Sequence, residues 1–151
     1  MKDELVELYQ EAYKDLDDYH YTDIQDIQNY VQWLHNHNEE TSLIILASCG
    51  KDVIGFIAGD IYYYDKEQSC LVSNIHELVV KPEFRGIGIG TQLIYEFITR
   101  SKEKNKQLGK KVNQVILWVG KNNQKAIKLY TNLGFSIHSK ANKWIKMKMN
   151  I

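Results

Sequence analysis

Ile75-His-Glu-Leu-Val-Val-Lys-Pro-Glu-Phe-Arg-Gly-Ile-Gly-Ile-Gly-Thr-Gln-Leu-Ile94 changes character three times along its length. Apolar and β-branched residues up to Val80 predict a strand, Lys81-Pro82-Glu83 a short turn, and Leu93, Ile94, Phe97 and Ile98 the apolar face of a helix. Between turn and helix lie glycines at 86, 88 and 90. Without a Cβ, such positions let successive backbone N–H groups point into one concavity and let a ligand approach closely. The positive end of the helix dipole adds to those donors, so the loop suits a phosphate or pyrophosphate.

Spacing separates the kinds of phosphate loop. A P-loop needs Lys-Ser/Thr after its last glycine, whereas Gly90 is followed by Thr91-Gln92. A dinucleotide fingerprint needs G-x-G-x-x-G and an acid on a later strand, but the run here is G-x-G-x-G and the strand near Val115 to Val119 carries no acid. Arg-x-x-Gly-x-Gly, Arg85 to Gly90 after Leu-Val-Val-Lys-Pro, resembles the acetyl-CoA pyrophosphate loop of the GNAT superfamily of N-acetyltransferases. A second stretch, Ile116 to Phe135, resembles the family's later motif at Asn123, Ala126, Leu129, Tyr130, Gly134 and Phe135.

The resemblance implies an α/β (α+β) fold: one domain over residues 1–151, built on a central, mixed, mostly antiparallel twisted sheet. Six to seven strands, about four flanking helices and a splay at the cofactor cleft are expected. Family members usually begin with a strand before the first helix, whereas Met1 stands almost at the helix start here.

Composition agrees with a single domain. A chain of 151 residues, 44% hydrophobic and 25% charged, buries one good core and is short for two. It holds no apolar run of membrane length, and Met-Lys-Asp-Glu-Leu lacks the basic-then-apolar order of a signal peptide, so a soluble, cytoplasmic protein is expected. Cys49 and Cys70 lack metal-type spacing and read as reduced core or near-core thiols.

Net charge is zero but uneven. Residues 1 to 40 hold eleven acids against Lys2 and Lys14, and residues 100 to 151 hold thirteen Lys/Arg against Glu103. Two solvated faces of opposite sign would explain this. The sharper reading is an acidic half that gathers a cationic acceptor and a basic half that receives the cofactor's phosphates.

In chain order, Leu5, Leu8, Ala12 and Leu16 predict a helix from about Asp3 to Asp18, and Ile24, Ile27, Val31 and Leu34 a second helix capped by Thr22. Strands follow over 41–49, 52–64 and 71–80, then the helix from about Gly88 to Lys106. A strand from Asn113 to Val119, a helix from Asn122 to Leu133, and strands around 135–138 and 143–149 complete the chain.

Acetyl transfer needs a base for the amine, whose pKa is near ~10, and an acid for the departing thiolate. The resemblance puts Tyr130 in the acid's place; a ring packing an amphipathic helix is the plainer alternative. For the base, His76 and Glu77 stand side by side. Strand alternation would send them to opposite faces unless a bulge intervenes, and family members are usually bulged there. His76 could take the proton directly, while Glu77 could act through a water or orient the amine; a core histidine and a buried ion-pair partner are the structural alternatives. Trp118 stands where some family members carry a glutamate.

The resemblance further assigns the cofactor to Arg85, Gly86, Ile87, Gly88, Ile89, Gly90 and Thr91 at the pyrophosphate. Leu78, Val79 and Val80 would pair with the pantetheine through their backbone if the central strands diverge after Val79 and Val119. Asn123 and Tyr130 would complete the site; Lys121, Lys125 and Lys128 could approach a phosphate, though a solvated helix face explains them equally. No metal and no nucleic acid is expected. Residues Asp15 to Asp23 and Tyr62 to Tyr64, acids interleaved with tyrosines, suit a cationic amine, either a small molecule or a protein lysine or N-terminus. A homodimer, a non-catalytic acetyl-CoA sensor and a plain interaction module stay open.

Overall fold

Ser42–Cys49 (β1) and Asp52–Asp65 (β2) form a hairpin, and β2 continues through a second turn into Cys70–Val80 (β3). These strands are rich in β-branched and aromatic residues, and the turns between them carry Gly50 and Ser69 with positive φ. In the computed structural model, which describes residues 2–15 and 20–151, they join Gln114–Gly120 (β4), Ser136–Ala141 (β5) and Trp144–Asn150 (β6) in one sheet of order β1-β2-β3-β4-β6-β5. Among the described residues only β3 and β4 pair in parallel, with α3 in the connection between them, as parallel neighbours need a crossover. The helices are Lys2–Tyr13 (α1), Ile24–Asn36 (α2), Ile89–Leu108 (α3) and Gln124–Leu133 (α4), with a short 3₁₀ turn at Pro82–Phe84. The mixed sheet with four helices is the architecture expected.

Two cores form, one on each face. On one side, Leu5, Leu8, Tyr9 and Ala12 of α1 and Ile27, Val31 and Leu34 of α2 pack on Phe56, Ala58 and Val79. On the other, Leu93, Ile94 and Phe97 of α3 pack on Ile57, Ile61, Ile75, Val115 and Leu117. The two sets follow the alternation of β2, where Phe56 and Ala58 face one way and Ile57 and Ile61 the other.

That alternation breaks in β3. Ala58 pairs with Glu77 but Gly59 pairs with Ile75, so His76 is an extra residue with no partner in β2. This bulge sends Ile75 into the α3 core while Val79, four residues on, enters the α1/α2 core. Glu77 therefore faces α1 and α2, on the same side as its neighbour His76.

Four expectations need adjustment. The cap of α2 is Asp23, not Thr22: its Oδ2 accepts from the N–H of Gln25 at 3.1 Å and of Asp26 at 3.3 Å, and a carboxylate is the stronger acceptor at a positive helix end. Helix α1 ends at Tyr13; Leu16, Asp17, Asp18 and Tyr19, called part of that helix and of the acceptor connection, lie outside the described residues. Cys49 is exposed, because it closes β1 at the hairpin beyond an irregularity between Ala47 and Ser48. The central strands part earlier than Val79 and Val119, since β3 and β4 pair only from Ser73/Val115 to Ile75/Leu117.

Gly59 fixes how closely α3 approaches the sheet. A Cβ there would stand 2.2 Å from the Asn74 carbonyl oxygen and 2.8 Å from Cζ of Phe97. Gly59→Ala is expected to destabilise the fold by about 1–3 kcal/mol, read as a lower urea midpoint; an unchanged midpoint would mean that α3 can retreat without cost.

Candidate active site

The bulge at His76 delivers Glu77 to a ring of tyrosines. The Tyr13 hydroxyl, at the end of α1, donates to Glu77 Oε2, and the Tyr30 hydroxyl of α2 donates to Oε1 at 3.0 Å while lying 3.4 Å from the His76 carbonyl oxygen. Tyr9 packs between them, with ring centroids 4.7 Å from Tyr13 and 5.8 Å from Tyr30.

Burial pushes the Glu77 carboxyl from an ordinary 4.5 up to about 7; the two tyrosine hydroxyls and the Leu78 N–H, which favour the charged form, do not cancel that penalty. Burial, followed by the charge of Glu77, raises the phenols of Tyr13 and Tyr30 well above their ordinary value, so both stay protonated as donors. Tyr130 on α4 is raised by the same two causes in the same order. Its ring meets Phe135 edge-on at 5.7 Å, and Gly134, with φ 111°, ends the helix just before that phenylalanine.

His76 points away from this group. Its Nε2 lies 2.7 Å from Asp60 Oδ2, while His37 Nε2 lies 2.9 Å from Asp60 Oδ1. Of the two candidates for the base, Glu77 is the one held among the tyrosines, and His76 is held by Asp60.

The glycine loop departs from ordinary backbone at two of its three glycines. Gly86 and Gly88 are left-handed, with φ of 79° and 93°, and Gly88 caps α3 with no side chain bonded to the helix's first N–H groups. The donors of Ile89, Gly90 and Thr91 are thus not consumed by a capping side chain. Gly90 has no such dihedral, and a Cβ on it would make ordinary contacts with Leu78 and Leu129 at 3.7 and 3.8 Å. Ile87 stands out into solvent. Beyond Ile75 and Leu117 the unpaired inner edges of β3 and β4 open a wedge beside Leu78, Val79 and Val80, and Tyr130 packs at the margin of the core on the α3 face.

Two expected cofactor contacts already have protein partners. Arg85 donates from Nε to the Val80 carbonyl at 3.0 Å and from a terminal nitrogen to the Ala12 carbonyl at 2.6 Å. It ties the end of α1, and hence Tyr13, to the end of β3. Asn123 caps α4, its side-chain oxygen accepting from the Ala126 N–H at 3.2 Å, which leaves its amide N–H₂ for a ligand.

The acceptor region is only partly assembled as expected. An open cleft of about 360 Å³ lies between α1 and the approach to α2, lined by Tyr13, His20, Tyr21 and Ile27 among others. Tyr63 and Tyr64, by contrast, pair with Val72 and Leu71. Five residues along β2 separate Tyr63 from the Ala58 that faces Glu77, a distance of ~17 Å at strand rise. Tyr62 lies under Lys110, 4.9 Å from the ring centroid. Among the described residues no helix is long and apolar enough to cross a membrane.

The sequence profile of the acetyltransferase (GNAT) family matches residues 2–135. An uncharacterized N-acetyltransferase of Archaeoglobus fulgidus is 34% identical over 130 residues, 86% of this chain and 83% of the relative. The crystal structure of PH1933 from Pyrococcus horikoshii superposes with a TM-score of 0.83 at 27% identity, covering 99% of this chain and 90% of that one. The PaiA N-acetyltransferase of Thermoplasma acidophilum, solved in complex with coenzyme A, shares the fold at a TM-score of 0.73 and 19% identity, with 99% and 92% covered.

Because the folded state holds the Glu77 proton up to about 7 and an unstrained carboxyl only to 4.5, ionising Glu77 opposes folding. Its contribution is most favourable below pH 4.5 and is lost as pH rises to about 7. Glu77→Gln, which cannot ionise, should gain on the native protein by on the order of 1–3 kcal/mol between pH 5 and pH 8 in denaturant titrations. A pH-independent difference would mean that the carboxylate is well solvated.

Proposed function

The chain belongs to the acetyltransferase (GNAT) family and is an N-acetyltransferase, and from that premise we propose that it transfers acetyl from acetyl-CoA to a cationic primary amine, with Glu77 as base and Tyr130 as acid. One observation carries the reading: a carboxyl raised to about 7 accepts from the hydroxyl of Tyr13, a residue lining the cleft beside α1, and lies near enough to the Tyr130 phenol for its charge to be felt there.

The residues fit the donor. Left-handed Gly86 and Gly88, the uncapped start of α3 and the wedge between β3 and β4 offer backbone N–H groups to a pyrophosphate and an unpaired strand edge to an amide-bearing arm. Ile87, Ile89, Gly90 and Thr91 would contribute through the same loop. Leu78 and Val79 would pair along the strand, Val80 through what Arg85 leaves free, and Arg85 itself would serve the site mainly by bracing α1. When bound, acetyl-CoA supplies a thioester whose carbonyl carbon receives the amine's lone pair and whose sulfur leaves as a thiolate.

The protein's part is to move two protons. A Glu77 oxygen takes one from the ammonium, directly or through a water, which frees the nitrogen to attack. The Tyr130 hydroxyl gives one to the departing sulfur and is restored by the second proton that the acylated nitrogen sheds as the adduct collapses to the amide, while Glu77 releases its proton to solvent. Tyr13 and Tyr21, which line the cleft, give the cation aromatic faces on its way in, and Glu77 gives it a counter-charge.

Two variants test the assignment by steady-state kinetics with an amine panel and thiol detection. Tyr130→Phe keeps the ring and removes the proton; kcat should fall by roughly 10² to 10⁴ while acetyl-CoA affinity changes little. In the native protein kcat/KM should fall with one proton below a pH near the Glu77 value of about 7, and Glu77→Gln should abolish that limb with most of the rate. Full turnover in Tyr130→Phe would return the acid role to solvent, and binding without turnover on any amine would make the protein an acetyl-CoA sensor.

A further inference from the structure

The geometry points to a divalent transition-metal site formed by His37, Asp60 and His76, separate from Glu77 and Tyr130. The three residues come from distant parts of the chain: the C-cap of α2, the middle of β2 and the bulge of β3. Their ligand atoms lie within 4.8 Å of one another. Two imidazole nitrogens converge on a single buried carboxylate: His37 Nε2 lies 2.9 Å from Asp60 Oδ1 and 3.0 Å from Oδ2, and His76 Nε2 lies 2.7 Å from Oδ2. Two histidines and one carboxylate form a donor set that zinc-class cations take, with a fourth position left open.

The tautomer of His37 is decisive. Its Nδ1 lies 2.6 Å from the Trp33 carbonyl oxygen, which can only accept, so Nδ1 carries a hydrogen. A neutral His37 then turns a bare lone pair at Nε2 toward Asp60 Oδ1, and two acceptors cannot face one another at 2.9 Å. Something positive must lie between them, a second ring proton or a metal ion. A histidine that donates its other N–H to a backbone carbonyl is the usual outer arrangement of a metal ligand.

Three further features match. The Thr41 hydroxyl donates to Asp60 Oδ1 at 2.7 Å, orienting the carboxylate. The Trp33 ring stacks on His37 at 4.0 Å and meets His76 edge-on at 4.9 Å, fixing both imidazoles. Asn74, the residue paired directly with Asp60 in the ladder, has a buried side-chain oxygen with no hydrogen-bond partner among the described residues. Cross-strand partners share a face, so this orphan acceptor sits on the cluster's side of the sheet, where a metal or its bound water would satisfy it.

A metal needs ~2.0–2.2 Å to each ligand, which small rotations of the rings and carboxylate would provide by widening the N···O separations by a few tenths of an ångström. The His37 and His76 side chains are 14% and 18% exposed, enough for entry and for an open coordination position. Binding displaces the proton from Nε2, so affinity should fall as pH is lowered.

The full chain, stripped with chelator, should take up one Zn²⁺ per molecule in calorimetry and elemental analysis, and Co²⁺ should give the intense visible bands of a four-coordinate nitrogen–oxygen site. His37→Gln and Asp60→Asn should each weaken Zn²⁺ binding by about 100-fold or more, while His35→Gln, an exposed histidine of α2 outside the cluster, should bind as the native protein does. Either no stoichiometric uptake by the native chain, or uptake that survives both ligand substitutions, overturns the proposal. So does nitrogen-detected NMR showing N–H at both ring positions of His37 with Zn²⁺ present.

Discussion

One extra residue in β3 governs the rest of the site. Without His76 opposite nothing, Glu77 would follow Ile75 into the α3 core, where a carboxyl would find Phe97 and Leu117 instead of hydroxyls. With it, the strand turns its next side chains toward α1 and α2, and Glu77 meets Tyr13 and Tyr30. The bulge lies one residue past the last rung shared with β4, so the twist it adds coincides with the parting of the central strands. The proposed base and the wedge that would receive the acyl donor thus have a common origin.

The far end of the same hairpin is held by charge. Lys146 of β6 is almost fully buried, 2.7 Å from Asp65 and 3.4 Å from Glu67, with its ammonium 5.8 Å from the Trp118 ring centroid. Burial would raise Asp65, but donation from Lys146 and Gln68 holds it below its ordinary range. Glu67 also reaches His138 at 2.9 Å. A buried pair of this kind adds little net stability over an apolar one but penalises any other register. It fixes the β2–β3 arm across β4, β6 and β5, and Trp118, at a position where a base was conceivable, is occupied in covering that pair.

What the sequence disclosed was what neighbouring residues encode. Gly86 and Gly88 need left-handed backbone wherever the chain goes, and Asn123 to Phe135 carries its own cap, apolar face and glycine stop. The partners of Glu77 were not legible, since Tyr13 and Tyr30 lie 64 and 47 residues away and stand at helical spacing, where a tyrosine reads as packing. Asp60 was hidden likewise, its histidines being 23 and 16 residues distant. Arg85 has a role the loop motif did not disclose: its place there suggested phosphate, and the fold also ties it to the end of α1. Tyr62 to Tyr64 look like an acceptor wall in sequence, but strand rise carries them away from Glu77.

The raised phenol of Tyr130 would by itself make a poor acid, and the arrangement around Glu77 answers this. After burial, the second cause of the rise is the negative charge of Glu77. In the proposed reaction Glu77 loses that charge when it takes the amine's proton, so the cause vanishes at the step where a thiolate begins to form. Tyr13 and Tyr30, themselves kept protonated by burial and by Glu77, hold the carboxyl in place through both charge states, because a hydroxyl can donate to a carboxylate and accept from a carboxylic acid. The order of proton movements follows from this coupling: uptake at Glu77 readies Tyr130, and a site whose base failed to load would keep its acid closed.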